Sequence, residues 1–185
     1  MAATESKMIS LGSEAPDFSL SNGIDNKFYS LSDLKGKNGT LILFICNHCP
    51  YVIHYHGEIV KLSIDYNQKI NMVAISSNDI IEYPQDSPER MKELWNSLNL
   101  SFPYLFDETQ QIAKKYKAEC TPEFYLFNHQ NKLEYRGRMD ETSPGSDKLP
   151  SGKDLRMAID NLLSNQPICK EQLPSMGCNI KWKAN

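Results

Sequence analysis

The apolar residues of this chain recur with two spacings, one typical of strands and one typical of helices. Residues 41–45 are a short, unbroken apolar run, as expected of a strand that is covered on both faces of a sheet, and residues 70–76 are predicted to be a second buried strand. Elsewhere, polar and apolar residues alternate on both sides of a turn, which predicts an early and a late hairpin. The predicted strands cover residues 17–20, 27–31, 41–45, 70–76, 102–106, 123–128 and 133–138.

Stretches with helical spacing separate these strands. The predicted helices cover residues 50–69, 88–98, 107–116 and 152–163. Ser87 and Asp107 are expected to cap the second and the third helix, and Ser151 with Asp154 forms a capping box for the last. The order of elements predicts an α/β fold with a central mixed sheet flanked by helices, parallel strands first and antiparallel strands after.

Length and charge limit the classes of protein and partner. The chain has 185 residues, and we expect a single domain over residues 1–185. Residues 1–10 are expected to be a loose N-terminus, and residues 166–185 an irregular C-terminal tail. The formal net charge is −3 without a block of like charges, so neither nucleic acid nor a membrane surface is an expected partner.

The five cysteines of the chain indicate reactive or buried thiols. Residues 1–12 lack the apolar core of a secretory signal, so we expect a cytoplasmic protein. The cytosol keeps thiols reduced, which disfavours a framework of structural disulfides. Catalytic, buried or metal-binding roles are therefore the expected ones for Cys46, Cys49, Cys120, Cys169 and Cys178.

The strand at residues 41–45 runs directly into the stretch Cys46-Asn47-His48-Cys49-Pro50. Proline is tolerated in the first turn of a helix, so a helix is expected to begin at Pro50 with its positive end close to Cys46. A helix N-terminus lowers a thiol pKa and so favours the nucleophilic thiolate. A strand, two cysteines separated by two residues and a helix together predict a redox pair in which Cys46 attacks and Cys49 resolves.

With this motif, the chain resembles the thioredoxin-like superfamily, in its alkyl hydroperoxide reductase/thiol-specific antioxidant (redoxin) branch. The resemblance covers about residues 11–164, and it is strongest to an uncharacterised cytosolic subgroup with the motif Cys-Asn-His-Cys-Pro-Tyr at residues 46–51. It implies a thioredoxin fold with an N-terminal β-hairpin extension and an inserted helix. Further stretches that carry the resemblance are residues 12–18, 74–79, 120–124, 135–138 and 177–182.

The resemblance also implies a second part of the site. In thioredoxin-like proteins a cis-proline faces the two cysteines, which implies this position for Pro122 and places Thr121 where its backbone can pair with an incoming chain. Two features depart from related families. The Pro-x-x-x-Thr/Ser-x-x-Cys loop of peroxiredoxins is absent, and Ile45 stands where thioredoxin has tryptophan.

Several neighbours of the pair have two interpretations each. His48 adds positive charge near the sulfurs, or it is a solvent-facing turn residue. Cys120 is a third redox thiol or a small buried hydrophobe. Glu123 moves protons for Cys49, or it faces solvent from a strand.

More distant residues are candidates for auxiliary roles. Arg138, like Arg136, presents a cation to an anionic substrate or a thiolate, or it is a surface residue. Tyr51 and His54 line the cleft, or they are ordinary residues of the first helical turn. Cys178 resolves an oxidised Cys46 if the tail folds back, or it is a packed thiol; Cys169 has the same alternatives.

Three functions fit these residues. The expected one is a thiol–disulfide oxidoreductase without a cofactor, which acts on protein or small-molecule disulfides and is reduced by a thioredoxin or glutathione system. The alternative is a thiol peroxidase in which Cys46 becomes a sulfenic acid. A second alternative is copper or zinc binding by residues of this region, namely Cys46, His48, Cys49, His54 and His56.

Overall fold

Ten β-strands and five α-helices alternate along residues 3–184, the part of the chain that this computed structural model describes. The strands are β1 (Ala3–Glu5), β2 (Ser19–Asn22), β3 (Phe28–Ser30), β4 (Gly39–Phe44), β5 (Asn71–Ser76), β6 (Tyr104–Phe106), β7 (Cys120–Thr121), β8 (Glu123–Asn128), β9 (Leu133–Gly137) and β10 (Met176–Asn179). The helices are α1 (Leu31–Leu34), α2 (Pro50–Asp65), α3 (Pro88–Ser97), α4 (Gln111–Tyr116) and α5 (Lys153–Leu163).

Seven strands form one mixed sheet in the order β3-β2-β6-β5-β4-β8-β9. The three strands β4, β5 and β6 run parallel, whereas β8 and β9 continue the sheet as an antiparallel hairpin. The early hairpin of β2 and β3 extends the other edge, because β2 pairs with β6. This architecture confirms the predicted mixed sheet, both hairpins and the order of parallel and antiparallel strands.

Strand β4 lies inside the sheet between β5 and β8, and every one of its residues is buried. Leu41 and Leu43 belong to the core under α2, α3 and α5, whereas Ile42 and Phe44 belong to the core under α1 and α4. Successive side chains of a strand point to opposite faces, so a strand covered on both faces needs an unbroken apolar run. This burial fixes the position of the residues that follow β4.

The two ends of the chain meet in a second sheet of order β1-β10-β7. Ala3 pairs with Cys178, which pairs on its other side with Thr121. The expected loose N-terminus at residues 1–10 and irregular tail at residues 166–185 are therefore wrong where β1 and β10 form. Both strands are short and gain their partners from the opposite end of the chain, so local periodicity does not reveal them. Residues 1, 2 and 185 lie outside the described residues.

The N-terminal cap of α3 is the one predicted from the sequence, whereas that of α5 is not. Ser87 caps α3 as predicted. The N-cap of α5 is Gly152 with a φ of +63°, in place of the predicted capping box of Ser151 and Asp154. The carboxylate of Asp140 accepts the backbone N–H groups of Ser151 and Gly152, at 2.7 and 2.8 Å. Asp140 thus fixes the residues before the helix, and the Met139 carbonyl accepts the first-turn N–H groups of Asp154 and Leu155, both at 3.2 Å, in place of a capping side chain.

Candidate active site

Cys46 and Cys49 lie between the end of β4 and the start of α2. Pro50 occupies the first position of α2, as predicted, and Cys49 is the N-cap residue. The Cys49 carbonyl accepts the N–H groups of Val52 and Ile53 at 2.9 and 3.0 Å. The positive end of the helix therefore adjoins Cys49 more directly than Cys46, which corrects the prediction for Cys46.

Thr121 contacts both sulfurs of the pair. Its hydroxyl oxygen lies 3.4 Å from the Cys46 sulfur, and its carbonyl oxygen accepts a hydrogen bond from the Cys49 sulfur at 3.2 Å. The peptide bond between Thr121 and Pro122 is cis. Cys46 is 1% exposed and Cys49 is 0% exposed, so a substrate reaches either sulfur only after a local movement of the protein.

Asp86 is a site residue that sequence reasoning missed. Its fully buried carboxylate accepts the backbone N–H of Asn47 and the side-chain amide of Asn78, both at 2.8 Å. His48 Nδ1 lies 2.7 Å from Asp86 Oδ2 without the angle of a hydrogen bond, so the contact becomes an ion pair when the imidazole is protonated. Asp86 lies in a polar loop without periodicity, and nothing in the sequence marks it.

The two residues between the cysteines are held by the same loop. The Asn47 amide donates to the carbonyl of Gln85 at 2.9 Å, and its oxygen accepts the hydroxyl of buried Tyr104 at 3.1 Å. The His48 ring stacks on Tyr83, with ring centroids 5.5 Å apart and planes 8° apart. His48 is therefore packed against this loop, which excludes the interpretation as a free, solvent-facing turn residue.

The two thiols of the pair titrate in opposite directions. Hydrogen bonding lowers the pKa of Cys49, because it outweighs the opposite effect of burial. The largest contribution comes from Cys46, and smaller ones come from the Cys178 side chain and from the N–H groups of Val52 and Cys178. The same bond between the cysteines, burial and the Asp86 carboxylate raise the pKa of Cys46. Because the bond between the cysteines is the first cause of both shifts, the reduced pair shares one proton, and the thiolate predicted on Cys46 stays a prediction.

Cys178 belongs to the site, because the C-terminal tail folds back over it. The residue is 4% exposed and packs in the same hydrophobic cluster as Cys46 and Cys49. Strand β10 places it directly opposite Thr121. The tail thus folds back over the pair and the Cys178 thiol is packed, whereas its resolving role stays a prediction. Cys169 is exposed, with its sulfur 3.6 Å from the carbonyl of Glu171.

Cys120 and Glu123 are buried together but do not hydrogen-bond to the pair. The Glu123 carboxylate accepts the N–H groups of Glu119 and Cys120 and the hydroxyl of Tyr125, at 2.6 to 3.3 Å. Burial raises the pKa of Glu123 to about 7 and also raises the pKa of Cys120. Glu123 is 1% exposed, which overturns the solvent-facing alternative, and the proposed proton transfer to Cys49 has no direct contact within residues 3–184.

A cavity of about 300 Å³ lies beside the pair. Pro122, Tyr51 and Arg138 line it from the main fold, and Glu5 and Met176 line it from β1 and β10. The Arg138 guanidinium forms an ion pair with Asp154 at 2.7 Å, so its charge is already partly matched. Arg136 instead donates to the Ile9 carbonyl and to Gln172, which gives it a structural role.

The histidines expected to bind metal are dispersed. His54 Nε2 lies 2.8 Å from the hydroxyl of Thr142, and His56 is half-buried without sharing a site with the pair. Among the described residues, one group of potential ligand atoms, all within 4.8 Å of one another, comprises Cys46, His48 and Asp86. The ligand set predicted from the sequence is therefore not assembled.

Comparison with known proteins identifies the family. A family model described as Redoxin matches residues 10–151. The chain belongs to the Redoxin family. The predicted redoxin branch is thereby confirmed.

Curated relatives of this redoxin include the thiol-disulfide oxidoreductase ResA of Geobacillus thermodenitrificans, which is 26% identical over 133 residues, 70% of each chain. An uncharacterised conserved protein from Geobacillus kaustophilus is 48% identical, with a TM-score of 0.97 over 100% of this chain and 98% of its own. The thioredoxin domain of a thiol-disulfide oxidoreductase from Bacteroides vulgatus is 17% identical, with a TM-score of 0.61 over 82% of this chain and 99% of its own.

These likenesses confirm the predicted thioredoxin fold, and they support the predicted oxidoreductase class over the peroxidase and metal-binding alternatives. None of the helices within residues 3–184 combines the length and the apolar character needed to cross a membrane.

Proposed function

We propose that this redoxin is a thiol–disulfide oxidoreductase whose Cys46 and Cys49 alternate between a dithiol and a disulfide. The observation that carries the proposal is the arrangement of the two sulfurs, which lie together against Thr121 and bind one proton between them. A thiolate held next to a thiol is the form that reacts with disulfides.

In the proposed reaction, Cys46 meets the substrate. Its proton passes to the Cys49 thiolate, and the Cys46 sulfur then attacks one sulfur of the substrate disulfide and releases the other as a thiolate. Cys49 loses this proton to the thiolate released in the first step and attacks the Cys46 sulfur. This second step releases the remaining half of the substrate as a thiolate, which takes a proton from solvent, and leaves a disulfide between Cys46 and Cys49. Two electrons and one proton move from the pair to the substrate.

Two features favour Cys46 over Cys49 as the attacking sulfur. Cys46 lies within 4.8 Å of the reactive atoms of His48 and Asp86, and the His48 side chain is 16% exposed. The Cys46 sulfur therefore lies on the side of the pair that is next to a partly exposed side chain. Cys49, by contrast, lies under the Thr121 carbonyl and the backbone of Cys178.

The cavity beside Pro122 is the proposed place for the substrate, a protein or small-molecule disulfide. Arg138 and Glu5 are among its charged groups, and Tyr51 and Met176 supply apolar surface. We further propose that the protein works in the cytoplasm and is returned to the dithiol by a thioredoxin or glutathione system. Five free cysteines suit a compartment that keeps thiols reduced.

The proposal is tested by turnover of a small disulfide, with thiol release as the measurement. We expect Cys46→Ser and Cys49→Ser to lower the rate by about two orders of magnitude or more, since each removes one of the two sulfurs that the cycle needs. Cys169→Ser is the matched control, because Cys169 is exposed and away from the pair. Full activity of Cys46→Ser would exclude the proposed pair.

A further inference from the structure

We propose that Cys178 is a third redox thiol, which takes over the disulfide of the active site by bonding to Cys49. The inference rests on the proposed function of Cys46 and Cys49 and extends the redox site to strand β10. The resulting Cys49–Cys178 disulfide would tie the C-terminal strand to the start of helix α2.

The register of β10 brings Cys178 to the pair. Cys178 and Thr121 are directly opposite residues of an antiparallel pairing, and the Thr121 carbonyl oxygen lies 3.2 Å from the Cys49 sulfur. Gly177 allows the strands to approach closely, because a Cβ atom there would lie 2.0 Å from the Thr121 carbonyl oxygen. Because Gly177 has no side chain, β10 can lie close to β7 and keep Cys178 opposite Thr121.

The surroundings of Cys178 distinguish it from the other two remaining cysteines. Cys178 shares a buried cluster with Cys46 and Cys49, and no other cysteine belongs to that cluster among the described residues. The Cys120 sulfur lies 3.9 to 4.0 Å from Glu123 Oε2 and from the carbonyl oxygens of Pro122 and Ser175. Cys169 is exposed. Hydrogen bonding from Cys178 also contributes to the lowered pKa of Cys49.

The proposed step is an exchange between thiols and a disulfide, so it needs no additional oxidant. After the substrate disulfide has oxidised the pair, the Cys178 sulfur attacks the Cys49 sulfur. The bond from Cys49 to Cys46 breaks as the bond from Cys49 to Cys178 forms. Cys46 leaves as a thiolate and takes up the proton that Cys178 loses, so electrons and protons balance within the protein.

The exchange has a consequence for substrates. The carbonyl and N–H of Thr121 already face β10, and a covalent bond to Cys49 would hold that strand in place over them. A second tether acts on the same tail, since the Lys181 N–H donates to the Asn78 side chain, whose amide donates to Asp86. In the bonded state the site is closed to an extended polypeptide, and Cys46 is free as a thiol.

The experiment maps disulfides after oxidation by oxidised glutathione, followed by alkylation and peptide mass analysis without reduction. We use the full chain as wild type, as Cys46→Ser, and as Cys46→Ser combined with either Cys178→Ser or Cys120→Ser. In Cys46→Ser we expect the Cys49–Cys178 peptide, unchanged when Cys120 is replaced. Replacement of Cys178 should abolish it and leave glutathione on Cys49. In wild type, the Cys49–Cys178 peptide should accompany Cys46–Cys49.

Oxidised wild-type protein that contains Cys46–Cys49 alone, with Cys178 fully alkylated, would overturn the inference. Cys46→Ser protein in which Cys49 never pairs with Cys178 would overturn it as well. A wild-type protein that forms no Cys46–Cys49 disulfide at all would instead contradict the proposed function. The wild-type sample needs no substitution, so the inference stays testable if a variant fails to fold.

Discussion

A single buried carboxylate, Asp86, joins the residues around Cys46. It binds the backbone of Asn47 and the amide of Asn78, and it lies in contact with His48. A buried charge that keeps several partners is costly to remove, because the partners are left without hydrogen bonds. At the scale of single residues, this carboxylate therefore controls both the stability of the site and the acidity of Cys46.

Asp86→Asn should lower the pKa of Cys46, since the carboxylate is one of the causes that raise it. The pH profile for alkylation of Cys46, read by peptide mass, should move to lower pH. The unfolding free energy should fall by about 1 to 3 kcal/mol, because an amide cannot accept from both Asn47 and Asn78.

Asp107→Asn is the matched control for this variant. Asp107 is also fully buried, and its carboxylate caps α4 by accepting the N–H groups of Ile112 and Ala113. The sequence predicted this capping role, although the N-cap position itself is Gln110. All three donors to Asp107 reach the same oxygen, Oδ2, so an amide can keep these bonds, and the control should leave the Cys46 profile unchanged. A profile that stays in place or moves to higher pH in Asp86→Asn would refute the role of Asp86.

Glu123 gives the folded protein a specific pH dependence. Its pKa is about 7 in the folded state against an ordinary value of 4.5, mainly because of burial. At a pH between these two pKa values, the Glu123 carboxyl is protonated in the folded state and ionised in the unfolded state. Its contribution to stability is therefore present below about pH 4.5 and is lost as the pH rises through about 7.

Glu123→Gln should remove the loss of stability that the wild type shows as the pH rises, which amounts to about 3 kcal/mol of unfolding free energy. Glutamine keeps acceptors for the N–H groups of Glu119 and Cys120 and offers a donor to Tyr125. Urea unfolding of both proteins should show that the unfolding free energy of the variant, relative to that of the wild type, rises by up to that amount between about pH 4.5 and pH 8. A constant difference between the two proteins would mean that Glu123 titrates normally.

At the scale of elements, strand β10 is the part that controls access to the pair. Its closest approach to the main fold is at Gly177, where a Cβ would lie 2.0 Å from the Thr121 carbonyl oxygen and 3.2 Å from the Pro122 nitrogen. Backbone atoms cannot yield in the way that a flexible side chain does. A methyl group at this position should therefore push β10 away from β7.

Gly177→Ala should expose the thiols that β10 covers. We expect faster alkylation of Cys49 and Cys178, which are buried in the native protein, and a loss of about 1 to 3 kcal/mol in unfolding free energy from overpacking. Thiol mapping after a short pulse of alkylating agent measures the exposure.

Gly57→Ala is the control for the added methyl group. Gly57 lies within α2, and a Cβ there meets no atom within 4 Å. Alanine is more favourable than glycine within a helix, so this variant should gain about 0.5 to 1 kcal/mol in unfolding free energy. Alkylation of its Cys49 should be as slow as in the wild type. If Gly177→Ala left both thiols as protected as in Gly57→Ala, β10 would not be the barrier to the site.

At the scale of the whole molecule, the sequence predicts what local patterns determine. The run at residues 41–45 has the composition of a strand buried on both faces, and Pro50 marks the helix start; both are found. Together they place Cys46 and Cys49 between strand and helix. The family resemblance adds the position of Pro122, which no local pattern reveals.

The remaining features depend on contacts between distant parts of the chain. Strand β1 pairs with β10 across almost the whole sequence, and neither has enough residues for a recognisable period. Asp86 acquires its role from Asn47 and Asn78, which approach it only in the folded protein. The lowered pKa of Cys49 likewise depends in part on Cys178, which tertiary structure alone brings to the pair.

The central claim is that Cys46 attacks a disulfide and Cys49 completes the exchange. Its most direct test is trapping of the mixed disulfide by Cys49→Ser with a small-molecule disulfide, read by peptide mass without reduction. A stable adduct should form on Cys46, because the sulfur that would displace it is missing. An adduct absent from Cys46 in this variant, combined with rapid modification of Cys49 in Cys46→Ser, would contradict the account and assign the attack to Cys49.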